Sequence, residues 1–247
     1  RGELERVRGD IMRLENQTSS NKVVMYLGGG AMAGIFSGGV LTALDEADFQ
    51  KNIEAIYSVS AGALNGAYFL TKETEKGASI YLEDLPGRFI HLWRIPFGIA
   101  QLIWNRYIRK LNPRGKIYNV VDIDFLFRVV RDIKPLNVAN LIKEGKNFYV
   151  KLLNIDTGDC EYVNIADGDP LTILKATVSV KPYYFPSQVI GNKKYIDGGI
   201  KDQFGIRFLR RRYPGSKIVA IFNEPVRWRT KYYIKNFLEG LISVLYL

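Results

Sequence analysis

The stretch Ile56-Tyr57-Ser58-Val59-Ser60-Ala61-Gly62-Ala63-Leu64-Asn65-Gly66 decides the fold. A short apolar run ends at Tyr57, small residues follow, and a helix-like segment begins near Ala61. The reading is a strand, a tight turn and a helix, with Ser60 at the turn. A serine held there has an exposed hydroxyl, close to the free N–H groups and positive dipole end of the following helix. The pattern for such a nucleophile elbow is G-x-S-x-G; here it is S-x-S-x-G, with Ser58 in the first position. Small flanking residues are needed because the turn brings backbone segments too close together for bulky side chains.

Upstream lies Val23-Val24-Met25-Tyr26-Leu27-Gly28-Gly29-Gly30-Ala31-Met32-Ala33-Gly34, then Ile35-Phe36-Ser37-Gly38-Gly39-Val40-Leu41. A buried strand runs into a glycine-rich turn, and a helix is expected next. Glycines let the backbone take positive φ and aim its N–H groups at one point. That geometry suits a phosphate or the oxyanion of a tetrahedral acyl intermediate. It also suits a tight strand–helix turn that binds nothing. A dinucleotide or P-loop reading fails on detail. There is no Gly-Lys-Ser/Thr ending, and no acidic residue closes a clear second strand about 20 residues on.

Downstream, Lys193-Lys194-Tyr195-Ile196-Asp197-Gly198-Gly199-Ile200 follows the turn signal Gly191-Asn192. Val189-Ile190 is expected to pair with Tyr195-Ile196 as a hairpin, which puts Asp197 at a strand end. Asp-Gly is by itself a common turn. The interest comes from the histidine count, which is one. His91 sits in Phe89-Ile90-His91-Leu92-Trp93, an apolar and aromatic setting typical of a packed or interfacial histidine. A serine hydrolase without an available histidine needs another base, and a carboxylate bonded directly to the serine can serve.

With these residues the chain resembles the patatin-like phospholipases, serine acyl hydrolases with a Ser-Asp dyad. The family's landmarks occur in order: a G-G-G-x-R/K-G oxyanion loop, then G-x-S-x-G, then D-G-G/A. Ala176-Thr177-Val178-Ser179-Val180-Lys181-Pro182-Tyr183-Tyr184-Phe185-Pro186 is similar to the family's A-S-x-A-x-P-x-x-F-P segment. Phe148 to Tyr162, with Asn154-Ile155-Asp156-Thr157-Gly158, is similar to the strand–turn–strand hairpin before it. Lys217 to Phe222 resembles the strand after the aspartate motif, so the likeness runs from about Lys22 to Pro225. It implies Ser60 as nucleophile and Asp197 as general base, the latter partly desolvated so that its pKa rises. Backbone N–H groups of Gly28, Gly29, Gly30 and Ala31 are expected to form the oxyanion hole, joined by that of Ala61. The implied fold is a three-layer α/β/α patatin-like domain with a mostly parallel central sheet, and no metal or organic cofactor is required.

The oxyanion loop departs from the family pattern. Aligned on the following helix it reads Gly29-Gly30-Ala31-Met32-Ala33-Gly34, which puts Ala31 in the third glycine position and Ala33 where the family has a basic residue. Alternatively Gly28, Gly29 and Gly30 keep their roles and one residue is inserted before Gly34. Loss of the basic side chain opens a second expectation, a weak or inactive scaffold of the same fold that binds anionic lipid or a protein.

Composition agrees with the α/β reading. The 247 residues, 47% of them apolar, suffice for one core, and strand-like runs alternate with helical stretches. Residues 1–21 read as a short charged helix and polar linker, and 22–247 as the catalytic domain. The chain starts without Met and stops in the apolar run Tyr232–Leu247, as a piece of a longer protein does. That run reads as a final packing helix or as a membrane- or partner-binding one. Cys160 is the only cysteine, so no internal disulfide forms and a reducing cytosol fits. No run of about 18 uncharged apolar residues occurs, which argues against a transmembrane helix.

The net charge of +10 asks for an anionic partner. With no zinc-ligand spacing or RNP-like motif, the expectation is an anionic membrane surface rather than nucleic acid. Ile99 to Leu111 reads as an amphipathic helix with a basic side, placed at a lipid interface, packed on the domain, or closed over an acyl groove. The expected partners are therefore a phospholipid or other lipid ester and an anionic membrane, with an activating protein left open. The expected location is cytoplasmic, peripheral on membranes.

Overall fold

The computed structural model describes residues 22–94, 119–201 and 205–223. The charged N-terminal segment, the amphipathic stretch Ile99–Leu111 and the apolar C-terminal run lie outside the described residues.

In chain order the described elements begin with β1 (Val23–Leu27), α1 (Gly34–Glu46), β2 (Ile53–Ser58), α2 (Ala61–Leu70) and α3 (Thr74–Ser79). After these come α4 (Ile123–Arg128), α5 (Val138–Glu144), β3 (Phe148–Asn154), β4 (Cys160–Asn164) and α6 (Pro170–Val178). The last are β5 (Gln188–Ile190), β6 (Lys193–Asp197), α7 (Ile206–Arg212) and β7 (Lys217–Ile221). Several helices start on side-chain caps that the sequence supplies. Asp122 accepts from Phe125 N–H, Asn137 from Asn140 N–H, and Asp169 from Thr172 N–H with Pro170 next to it.

Among the described residues seven strands form one mixed sheet, ordered β5-β6-β3-β2-β1-β7 with β4 also on β3. The half β3-β2-β1-β7 is parallel, as the alternation of strands and helices predicts. The other half is antiparallel, because β3–β4 and β5–β6 are hairpins. In the second hairpin Val189 pairs with Lys194 and Ile190 with Lys193, so Gly191-Asn192 makes the turn that the sequence signals.

β1 is fully buried on both faces, as a central parallel strand must be. Val23, Met25 and Leu27 join Ile56, Phe148, Val150 and Leu152 in the larger core, under the helices that include α2 and α6. Val24 and Tyr26 point the other way, with Tyr57, Val59 and Leu209 of α7. Helices thus cover both faces of the sheet, giving three layers. The second face is rich in tyrosine: Tyr57 stacks on Tyr149 at 4.8 Å and meets Tyr162 edge-on at 5.0 Å.

The pairing around β3 positions the site. β4 takes one edge of β3 over Tyr149–Leu153. β2 pairs with Phe148–Val150 and β6 with Leu152–Asn154, both overlapping the β4 range, so both must use the opposite edge. β2 and β6 run in opposite directions along it. Ser58 lies beside Val150 and Asp197 beside Leu152, so the two strand ends face each other across two residues of β3, about 7 Å. The turns that follow Ser58 and Asp197 leave the sheet from this one gap.

Candidate active site

β2 delivers Ser60 into that gap. Val59 N–H donates to Leu27 O at 3.0 Å, tying the strand end to β1. Ser60 then takes φ 53° and ψ −129° as the residue before α2. A residue with a Cβ held in such a sparsely populated conformation costs about 1–3 kcal/mol, so its surroundings must fix it. They do. Ser60 N–H donates to Thr177 Oγ1 at 2.8 Å, and the Thr177 hydroxyl donates to Lys151 O at 2.9 Å. Ala63 N–H donates back to Ser60 O at 2.9 Å. A Cβ on Gly62 would stand 2.5 Å from Leu27 O and 2.6 Å from Gly28 O, so α2 can start this close to β1 only with glycine there. The serine in the first motif position is accommodated: Ser58 is fully buried and its hydroxyl donates to Tyr149 O at 3.2 Å.

Asp197 closes β6 and is 2% exposed. Its Oδ1 accepts from Gly199 N–H at 2.7 Å, and its own N–H donates to Ser179 O at 3.2 Å. A Cβ on Gly198 would lie 2.9 Å from the carbonyl carbon and oxygen of Lys151. One on Gly199 would lie 3.5 Å from Val59 Cγ2. The peptide that anchors Thr177 beneath Ser60 is therefore the one against which the Asp197 turn packs, and that turn also reaches the residue before Ser60. His91, by contrast, is held through its N–H to Val120 O at 2.8 Å. Among the described residues no hydrogen bond joins it to Ser60 or Asp197.

The glycine-rich turn lies on the other side of Ser60. Gly28 N–H donates to Ile221 O at 2.9 Å and extends the β1–β7 ladder. This corrects the expectation for Gly28: its amide is engaged in the sheet and does not face the elbow. Gly29 does. A Cβ there would be 3.1 Å from Ser60 Cβ and 3.8 Å from Ser60 Oγ. The chain then turns sharply, with φ 150° at Gly30 and φ 47° at Ala31, into a short 3-10 turn over Ala31–Ala33. The turn between β1 and α1 therefore includes two positive-φ residues, Gly30 and Ala31, the second of which carries a Cβ. Ala61, at the start of α2, is also next to Ser60, and its N–H belongs to a first turn whose amides lack acceptors inside the helix.

Both ends of this loop are fixed by buried side chains that the sequence did not single out. At the far end, Asn65 Nδ2 donates to Gly34 O at 2.7 Å and to Ser37 Oγ at 2.8 Å, while Tyr81 donates to Asn65 Oδ1 at 3.1 Å. Burial pushes the Tyr81 hydroxyl well above the ordinary tyrosine range, with the Asn65 bond opposing, so it stays a neutral donor. At the near end, Asn223 donates from Nδ2 to Gly28 O at 2.9 Å and Gly29 O at 3.1 Å, and its Oδ1 accepts from Ser37 N–H at 3.0 Å. Thr177 at least stood inside a recognised segment; Asn223, two residues past β7, carried no signal. No group of three His, Cys, Asp or Glu side chains able to hold a metal is gathered among the described residues.

Known proteins with related sequence or shape put this arrangement in context. Over 210 residues the chain is 24% identical to the uncharacterized protein YjjU of Escherichia coli (strain K12), a match covering 81% of this chain and 51% of that protein. The chain thus spans about half the length of the curated relative it matches. The crystal structure of VipD from Legionella pneumophila aligns with 74% of this chain and 46% of its own, at 18% identity and a TM-score of 0.43. The model of the patatin-like phospholipase family matches residues 25–210, well over half of the chain. With the end of β1, the glycine turn, the turn at Ser60 and the aspartate turn inside that span, the chain belongs to the patatin-like phospholipase family.

Proposed function

We propose that the chain is a serine acyl hydrolase that cleaves ester bonds of lipids, phospholipids among them, with Ser60 as nucleophile and Asp197 as base. Asp197 takes the proton from Ser60 Oγ as that oxygen attacks the ester carbonyl. The negative charge that forms on the carbonyl oxygen is met by backbone N–H groups drawn from Gly29, Gly30, Ala31 and Ala61. The tetrahedral species collapses to an acyl-enzyme, and the alcohol leaves with the proton. Water then gives a proton to Asp197 and attacks the acyl carbon; Asp197 returns that proton to Ser60 Oγ as the acyl–oxygen bond breaks, releasing the fatty acid and regenerating Ser60. Phospholipid at an anionic membrane surface is the substrate setting that the +10 charge supports.

The single observation behind this reading is the head-on meeting of β2 and β6 along one edge of β3, with the glycine turn of β1 against Ser60. The test is fluorophosphonate labelling of the protein, with the modified residue located by peptide mass spectrometry. Labelling at Ser60, lost in Ser60→Ala, is expected. Asp197→Asn, close in shape, is expected to keep the fold and lower ester turnover by about 100-fold or more. Full turnover in Asp197→Asn would rule out the dyad. A second reading, a binding scaffold with little activity, is favoured by one feature, the absence of a basic side chain at Ala33 in the loop. Absence of Ser60 labelling in folded protein, with anionic vesicles present, would select it.

A further inference from the structure

We infer that Asn223 is a positioning residue for the oxyanion hole, an inference that rests on the hydrolase reading above. The amide of Asn223 uses both N–H groups and its oxygen on the loop and the helix behind it: Gly28 O at 2.9 Å, Gly29 O at 3.1 Å and Ser37 N–H at 3.0 Å. A trans peptide is planar, with its C=O and the following N–H pointing in opposite directions. Holding Gly28 O and Gly29 O towards Asn223 therefore turns the N–H groups of Gly29 and Gly30 away from it. Gly29, which carries the first of these amides, is packed on Ser60.

The fit is close on the Asn223 side too. A Cβ on Gly30 would stand 2.6 Å from Asn223 Cβ, so the loop is pressed between Asn223 and Ser60. Asn223 is 8% exposed, which excludes water as an easy substitute for its donors. The side-chain chemistry is specific. Two carbonyls must be met by donors and one backbone N–H by an acceptor, a set that a primary amide of this length supplies and a carboxylate or alkyl group does not. The loop segment Ala31-Met32-Ala33 carries no polar side chain of its own. The Gly28–Gly29 and Gly29–Gly30 peptides are oriented from outside the loop, by a residue almost 200 positions away in sequence.

Transition-state stabilisation depends on donor direction at the moment the oxyanion forms, so loosening the loop affects turnover more than substrate binding. The experiment compares wild type, Asn223→Ala and Asn223→Asp on a short-chain 4-nitrophenyl ester. It also measures inhibition by a trifluoromethyl ketone, whose adduct with a serine carries an oxyanion, and thermal melts monitor folding. In folded Asn223→Ala, kcat is expected to fall by about 100-fold with KM within about twofold. Affinity for the ketone should fall in parallel, and Asn223→Asp, which sets oxygen against two carbonyls, should lose at least as much. If Asn223→Ala does not fold, Asn223→Ser, which keeps one hydroxyl donor, is read the same way. Unchanged kcat and ketone affinity in a folded variant, beside an active wild type, would overturn this inference alone. A wild type with no Ser60-dependent turnover would overturn it together with the hydrolase reading.

Discussion

Ala31 and Ser60 both sit at positive φ, 47° and 53°, yet the two strains differ in kind. At Ser60 the conformation aims the hydroxyl of the proposed nucleophile and cannot be relaxed without losing its position. At Ala31 the side chain is an exposed methyl with no hydrogen-bonding part to play, so the strain comes only from having a Cβ. Ala31→Gly removes it. A left-handed backbone costs an L residue about 1–2 kcal/mol, partly offset by the greater freedom of glycine in the unfolded chain. The variant is expected to gain about 1 kcal/mol, roughly 2–4 °C in Tm for a chain of this length, with Ser60 labelling retained. An unchanged or lower Tm would mean that the φ at Ala31 is not strained as argued. Residues of this kind divide by how local their signal is. Ser60 and Asp197 stand inside short contiguous patterns whose small neighbours announce a turn, so both were legible. Asn223 acts on Gly28 across 195 positions and Thr177 on Ser60 across 117, and a lone Asn or Thr has no local pattern to mark such a partner.

The spacing between elements rests on small residues in the helices. Gly62 sits on the carbonyls that end β1, and a Cβ on Gly66 would come within 2.9 Å of Leu27 Cδ1 and 3.1 Å of the Phe148 ring. Glycine at these two positions thus lets α2, which follows Ser60 directly, lie closer to β1 than a larger residue would allow. Gly62→Ala forces backbone against backbone, with no flexible side chain to yield. It is expected to cost about 1–3 kcal/mol and to slow Ser60 labelling, because the helix start and the Gly28–Gly29 peptide must part. Gly39→Ala, on α1 with nothing within 4 Å, is the control: neutral or stabilising by up to about 1 kcal/mol, with labelling unchanged. Equal behaviour of the two variants in melts and labelling would refute the close-packing account. At this scale the hairpin of β5 and β6 was legible from its Gly-Asn turn, and β1 from its unbroken apolar run. The shared edge of β3 was not. Which strands abut on a third depends on pairings between residues up to 92 positions apart, and periodicity within a strand says nothing about its neighbour.

At the scale of the whole molecule, the proposed hydrolase must meet its lipid at a half-buried Ser60 beside a buried Asp197. No helix among the described residues is long and apolar enough to cross a membrane. The surface does offer a group of large apolar side chains: Trp93 is 62% exposed, Tyr183 46% and Ile90 39%. They are held near one another, since Ile90 bridges to Val121 while Val120 and Val121 both donate to Tyr183 O. Arg94 lies over the Trp93 ring at 4.8 Å, bringing a cation to the same place. Net charge of +10 attracts an anionic surface from a distance and is screened by salt, whereas apolar insertion is not. The two contributions separate in a sedimentation experiment with neutral and anionic phospholipid vesicles at rising ionic strength. Binding should require anionic lipid, weaken steeply between low and about 0.5 M salt, and keep a residue that Trp93→Ala removes. Equal binding to neutral vesicles, or no response to salt, would defeat the electrostatic part. Turnover of soluble esters together with a complete lack of vesicle binding would identify the natural substrate as an ester met away from membranes, leaving the charge to some other anionic partner.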